Sequence, residues 1–181
     1  SLTTNNTFTG AVAVEAGTLK LGVANTLAAD VSAFVASNAV LDVNGKAQTL
    51  AGLAGSGTVI NNGQLSVTAG VAPGTTNMIG TLTLASSPAA LGGDFRVDVA
   101  ADGACDRLHV QGDLDLTGLN VAVSNPETLN KNARYVIASC EGTLTGPFLS
   151  ASLPSRWQLS YNAAAREVLL RYDFGTLMLL N

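Results

Sequence analysis

The chain has 181 residues, of which 47% are hydrophobic and only 12% charged, with a net charge of −4. That is the size of one domain, or of a piece of a longer repetitive one. The acidic balance argues against nucleic acid as a partner, and the absence of any run of ~18 apolar residues argues against membrane insertion by this segment.

The charges are unevenly placed. Residues 1–93 carry only Glu15, Lys20, Asp30, Asp42 and Lys46, and every other charged residue lies in 94–181. The first part is surfaced by Thr, Asn, Ser and Gln, which suits stacked strands with little self-repulsion. The chain opens inside repeat-like sequence without a basic and apolar leader, the pattern expected of a processed fragment.

Residues 6–22 set the theme. Val12 and Val14 alternate with Ala13 and Glu15, Gly17 breaks the run, and Leu19 and Leu21 alternate with Thr18 and Lys20. This predicts two short strands, each with one apolar face, joined by a tight corner. Gly-Thr-Leu recurs at Gly17, Gly80, Gly142 and Gly175, and Gly-Thr-Val at Gly57. Residues 23–37 are compatible with one or two helical turns, but Ser and β-branched residues favour an irregular loop followed by a strand.

Residues 39–67 read as a series of strands and turns. Leu41 and Val43 flank Asp42, and Asn44-Gly45 is a strong turn signal. Leu50 and Leu53 lead through Gly52 and Gly55 to Val59 and Ile60. Asn61-Asn62-Gly63 then turns into Leu65 and Val67. Strands this short, with corners this close, suit a β-solenoid better than a sandwich. Asn at the corners can take left-handed backbone angles or form a side-chain ladder. Pro73-Gly74 is a further turn, and Leu82 and Leu84 flank Thr83.

From residue 94 the strands lengthen. Phe95, Val97 and Val99 alternate with Arg96 and Asp98, Leu108 and Val110 flank His109, and Val121 and Val123 flank Ala122. Tyr135 and Ile137, then Trp157, Leu159 and Tyr161, then Val168, Leu170 and Tyr172 complete the pattern. An aromatic-rich last section is what an open-ended stack needs to seal its end. One core is expected to hold Leu19, Leu21, Leu41, Val43, Leu65 and Val67, continuing through Leu82, Leu84, Phe95, Val97, Leu108 and Val110. Lys20, Asp42, Ser66, Thr83, Arg96 and His109 should face outward.

These residues resemble a known family. The motif at 6–22 is similar to the autotransporter-associated β-strand repeat of type V secretion passenger domains in Gram-negative bacteria. Leu41-Asp42-Val43-Asn44-Gly45, Gln48-Thr49-Leu50 and Gly55-Ser56-Gly57-Thr58-Val59 resemble that repeat's second half. Ala72-Pro73-Gly74 leading into Ile79-Gly80-Thr81-Leu82-Thr83-Leu84 resembles the segment before the family's C-terminal cap. Asp106-Arg107-Leu108 with Val110 and Gly112, then Tyr135-Val136-Ile137 and Gly142, resemble the cap itself.

The resemblance implies an all-β, single-stranded right-handed parallel β-helix, with repeat-built turns over 1–93 and an autochaperone-like C-terminal cap over 94–181. It implies a secreted or cell-surface location and, as partners, an upstream passenger and an outer-membrane translocation barrel. No segment after Tyr172 is long enough to supply such a barrel.

Each chemical candidate has a plainer reading beside it. His109 is the only histidine, and a nucleophilic pair with Cys105 would need a common face and an orienting third group; the plain reading is an outward strand histidine. Asp98, Asp102, Asp106, Asp113 and Asp115 form the densest acidic group. Calcium takes oxygen ligands from such turns, but the nonapeptide calcium signature is absent and turn-forming, solvent-facing aspartate is simpler. Carbohydrate-active chemistry needs clustered carboxylates, and 1–93 offers only Glu15, Asp30 and Asp42.

Trp157, Tyr161 and Tyr172 could stack on sugar, but their alternation reads as one buried face. Gly52-Leu53-Ala54-Gly55-Ser56-Gly57 lacks the Lys and helix of a phosphate loop. Cys105 and Cys140 lie beside turn-like sequence, and export would allow them to form a disulfide. The expectation is therefore a structural stem and cap with no catalytic or metal site and no cofactor. The alternative is an adhesin-type surface for glycans or self-association.

Overall fold

The computed structural model describes residues 1–76 and 78–175. The last Gly-Thr-Leu, which starts at Gly175, runs out of the described residues. Among those described there is no α-helix, and one 3-10 turn at Pro126–Thr128.

The protein is all-β, and the chain passes back and forth between two sheets. In chain order the strands are β1 (Val12–Val14), β2 (Gly17–Lys20), β3 (Ala33–Val35), β4 (Ala39–Asp42), β5 (Gln48–Gly55), β6 (Thr58–Ile60), β7 (Leu65–Pro73), β8 (Thr81–Leu84) and β9 (Ala90–Leu91). They continue with β10 (Gly93–Val97), β11 (Arg107–Val110), β12 (Leu114–Asp115), β13 (Leu119–Val123), β14 (Tyr135–Cys140), β15 (Leu144–Thr145), β16 (Ser150–Ser152), β17 (Trp157–Asn162) and β18 (Glu167–Tyr172).

The first sheet has the order β1-β3-β5-β7-β10-β13-β16, and the second runs β2-β4-β6-β8-β11-β14-β18-β17. Every pairing in the first is parallel. The second is parallel from β2 to β14 and ends in an antiparallel hairpin, with β18 between β14 and β17. A small third sheet pairs β12 with β15.

Most strands are short because each apolar run is short, but β5 and β7 reach eight and nine residues, so the longest strands lie before residue 94 and not after it as expected. The residue pattern sets their faces. Leu21, Leu41, Val43, Leu65, Val67, Leu82, Leu84, Phe95, Val97, Leu108 and Val110 are all buried, and Leu19 is half-buried against them. Lys20 and Arg96 are exposed and Asp42, Ser66, Thr83 and His109 intermediate, on the opposite face. The register read from alternation therefore holds. One apolar cluster extends from Val14 to Leu170. The boundary expected at 93/94 falls within β10, which pairs with β7 on one side and β13 on the other, so both parts share one sheet and one core.

Between strands, buried amide side chains replace backbone pairing. Gln48 is 1% exposed; its Nε2 donates to Leu27 O at 2.9 Å and its Oε1 accepts from Leu27 N at 3.2 Å. Asn61 does the same for Ser86, accepting from its N–H at 3.1 Å and donating to its carbonyl at 2.8 Å. Asn25, Asn38, Asn44 and Asn62 take the left-handed angles instead. Gly55 is required where it stands: φ is +114°, and a Cβ there would lie 2.0 Å from Val35 O.

Two expectations are corrected. Cys105 and Cys140 are free thiols and not a disulfide. Cys105 Sγ donates to Val136 O at 3.4 Å. Cys140 lies four residues further along β14, about 13 Å at the usual rise of an extended strand, well beyond bridging distance. Trp157, Tyr161 and Tyr172 are not a fully buried face either. Tyr161 is 39% exposed, and Trp157 and Tyr172 are half-buried. β17 is the outermost strand of its sheet, so its side chains meet the core from one side only.

Candidate functional site

The densest polar arrangement lies on the outer face of the second sheet. Parallel register sets His109 beside Ser139, and antiparallel register sets Ser139 beside Glu167. Arg107 Nε and Nη2 donate to Ser139 Oγ at 3.0 and 2.8 Å, and Nη2 lies 3.7 Å from Glu167. His109 Nδ1 is 2.9 Å from the same Oγ, and its Nε2 is 3.6 Å from Glu141 Oε1. With two Arg107 donors already on Oγ, the serine proton goes to His109 Nδ1. In the tautomer that accepts at Nδ1, the ring hydrogen is on Nε2, facing Glu141.

The order Glu141–His109–Ser139 is that of an acyl-transfer relay, but the serine is not available as a nucleophile. Ser139 is 3% exposed, and Arg107 occupies both of its lone pairs. The arrangement instead ties β11, β14 and β18 together across their outer face. His109 is thus the outward strand histidine expected, but a hydrogen-bonded one.

Cys105 does not join His109. The two lie four residues apart on one extended stretch, about 13 Å. Burial, with help from Asp106 and against Arg107, pushes the Cys105 thiol up to about 12, so it is not a thiolate nucleophile at neutral pH. Burial also raises Cys140.

The five aspartates do not converge. Asp102 accepts from Ala104 N at 3.0 Å, Asp113 from Thr143 N at 2.6 Å, and Asp115 from Thr117 N and Oγ1 at 2.9 and 2.7 Å. Asp102 and Asp115 are the turn-forming residues expected, whereas Asp113 reaches a backbone N–H 30 positions away. Asp98 and Asp106 depart from that reading, being 8% and 2% exposed. Asp106 Oδ1 accepts from Gly80 N at 2.8 Å and Oδ2 from Asp98 N at 2.9 Å. Burial raises its carboxyl to about 6, the two backbone donors oppose the rise, and the Asp98 charge adds to it. Asp106 thereby clasps Gly80, just before β8, to Asp98, just after β10. Gly74 lies so close that a Cβ there would be 2.2 Å from Oδ1.

At the end of the second sheet the aromatics form a chain. Tyr135 lies 5.9 Å from Trp157, Trp157 5.6 Å from Tyr172, and Tyr172 5.1 Å from Phe174. Lys131 and Arg156 sit over the Tyr172 ring at 5.1 and 5.5 Å. The Arg107–Ser139–Glu167 tie gave no signal in the sequence, because strand register alone brings together residues some 30 positions apart.

No family model and no curated protein matches the chain.

Proposed function

We propose that this chain is the stem and cap of a right-handed parallel β-helix within a secreted or surface-displayed passenger domain. It holds the chain extended, supports folding and export, and presents whatever lies upstream. One observation carries the reading: successive strands alternate between two parallel sheets, and the last two form an antiparallel hairpin on the second. Parallel stacking lengthens an object without changing its cross-section, and an antiparallel hairpin interrupts that repetition at one end. The resemblance of 6–22 and 39–59 to the autotransporter-associated repeat supports the same reading, as does the resemblance of 106–142 to a cap. We infer no catalytic role, since Ser139, Cys105 and Asp106 are each engaged in holding strands together.

The test is display. A reporter epitope is fused upstream of the chain and an outer-membrane translocation barrel downstream, and surface epitope is read by protease shaving of intact cells. Display several-fold greater than with 94–175 deleted is the expected result. Equal display with and without that part would overturn the reading.

A further inference from the structure

We propose that the outer face of the first sheet binds a linear, uncharged glycan laid across its strands from β3 to β16. This goes beyond a supporting role and rests on a different face from the Arg107–Ser139 tie. Three adjoining hollows of about 520, 460 and 240 Å³ lie on this face, and all three are lined by Arg96.

Strand register explains the shape. Phe34 is beside Ala54, and Ala54 beside Ala72; one strand on, Arg96 is beside Ala122, and Ala122 beside Ser152. A second row runs from Gly52 through Gly70 and Asp94 to Asn120 and Ser150. The floor is therefore bare over β5 and β7, between the half-buried ring of Phe34 at one end and the exposed Arg96–Asp94 pair on β10, beyond which hydroxyls and an amide follow. The loop carrying Thr75 and Thr76 walls one side.

The chemistry selects the ligand. From β3 to β13 each strand is paired on both sides, so over that stretch an extended peptide has no edge to add to, and only β16 presents one. Arg96 is paired with Asp94 at 2.9 Å, and both are more than half exposed. Asp98 and Asp106, both buried, also line the largest hollow, so carboxylates outnumber the one cation. The groove presents adjacent donors and acceptors that suit vicinal hydroxyls and gives no attraction to a polyanion. Phe34 offers a flat apolar surface for the C–H face of a sugar ring. The spacing between strands, about 4.8 Å, is close to the length of one pyranose unit in a β-linked chain, so each strand meets a similar part of the ligand.

The experiment uses the whole chain against immobilised β-1,4- and β-1,3-linked glucose oligomers of increasing length, followed by calorimetry with cellohexaose and its shorter homologues and the corresponding laminari-oligosaccharides. Affinity is expected to rise with each added ring until the face is spanned. Arg96→Ala and Phe34→Ala should each weaken binding at least about tenfold, while Arg107→Ala, on the other sheet, should leave it unchanged. Denaturant midpoints of all three variants report whether the fold is kept. A chain that binds none of these oligomers overturns the proposal. So does binding that survives both groove variants, or binding that a sulfated or uronate polymer outcompetes.

Discussion

Asn125 pairs with Val99 as one strand residue pairs with another: Val99 N donates to Asn125 Oδ1 at 2.8 Å, and Asn125 Nδ2 donates to Val99 O at 2.8 Å. The amide stands in for a peptide group where the chain leaves the sheet; it is the partner of Val99 N, and it shares the Val99 carbonyl with Thr128 Oγ1, which donates at 2.7 Å. Val99 itself is 1% exposed, so little water is at hand to replace the partner.

Asn125→Asp is therefore expected to destabilise the fold more than its size suggests. It keeps the acceptor for Val99 N but turns the donor into an oxygen facing Val99 O. The expected loss is roughly 1–3 kcal/mol, read as a lower urea midpoint at unchanged slope. Asn125→Asp with an unchanged midpoint would show that the pairing contributes nothing.

Stability should rise on mild acidification. Asp106 titrates at about 6 in the folded protein, above the ordinary carboxylate value of the unfolded chain. The folded state therefore takes up its proton first as pH falls. The stabilisation from this group is fully present below the ordinary value and is lost as pH rises through about 6, a difference of as much as ~3 kcal/mol. Urea midpoints between pH 7 and pH 4.5 should climb. In Asp106→Asn that climb should be flattened, with a lower midpoint at the acid end because one of the two N–H donors loses its acceptor. A wild-type profile that falls steadily over this range would refute the assignment.

The two large aromatic positions should differ in cost. Phe95 is fully buried and stacks on Phe148 at 5.6 Å, so Phe95→Ala should cost roughly 3–5 kcal/mol. Trp157 is half-buried between Tyr135 and Tyr172, and Trp157→Ala should cost roughly 1–3 kcal/mol. Hydrogen exchange should speed up along β17 and β18 in the Trp157 variant, and in both sheets in the Phe95 variant. Equal protection patterns in the two would remove the distinction.

Thiol chemistry checks the cysteines. Unreduced, denatured protein should yield two reactive thiols, and the native protein should label slowly at mildly alkaline pH because burial keeps Cys105 protonated. A denatured protein with no free thiol would mean that the two are joined.

Alternation made the inner face legible from sequence, because a strand has only two faces and Leu41-Asp42-Val43 or Leu108-His109-Val110 leaves one choice. Asn61-Asn62 was legible only by type. One of the pair brackets the neighbouring Ser86 and the next turns the chain with φ of +46°, and nothing in the dipeptide says which does which. Cys105 and Cys140 misled because nearness to turns was read as nearness to each other, whereas β14 holds them apart along its length. Ser139 was invisible: between Ala138 and Cys140 it looks like filler, and only the register with His109 and Glu167 gives it partners.

Stacking also has a mechanical consequence. Leu2 bridges to Leu21 at one end, and at the other the last strand of the chain, β18, pairs with β14 and with the outermost strand, β17. A pull on the two ends therefore acts across the strands and not along them. Hydrogen bonds between neighbouring strands are then loaded in succession, as in a zipper, instead of being sheared together. Each release frees one pass of chain; from His109 to Ser139 that is 30 positions, or roughly 100 Å at full extension. The protein should yield at low force in a series of small steps and lengthen greatly before its last strands part, so that a sudden tug at one end is absorbed along the stack and not passed on to the other.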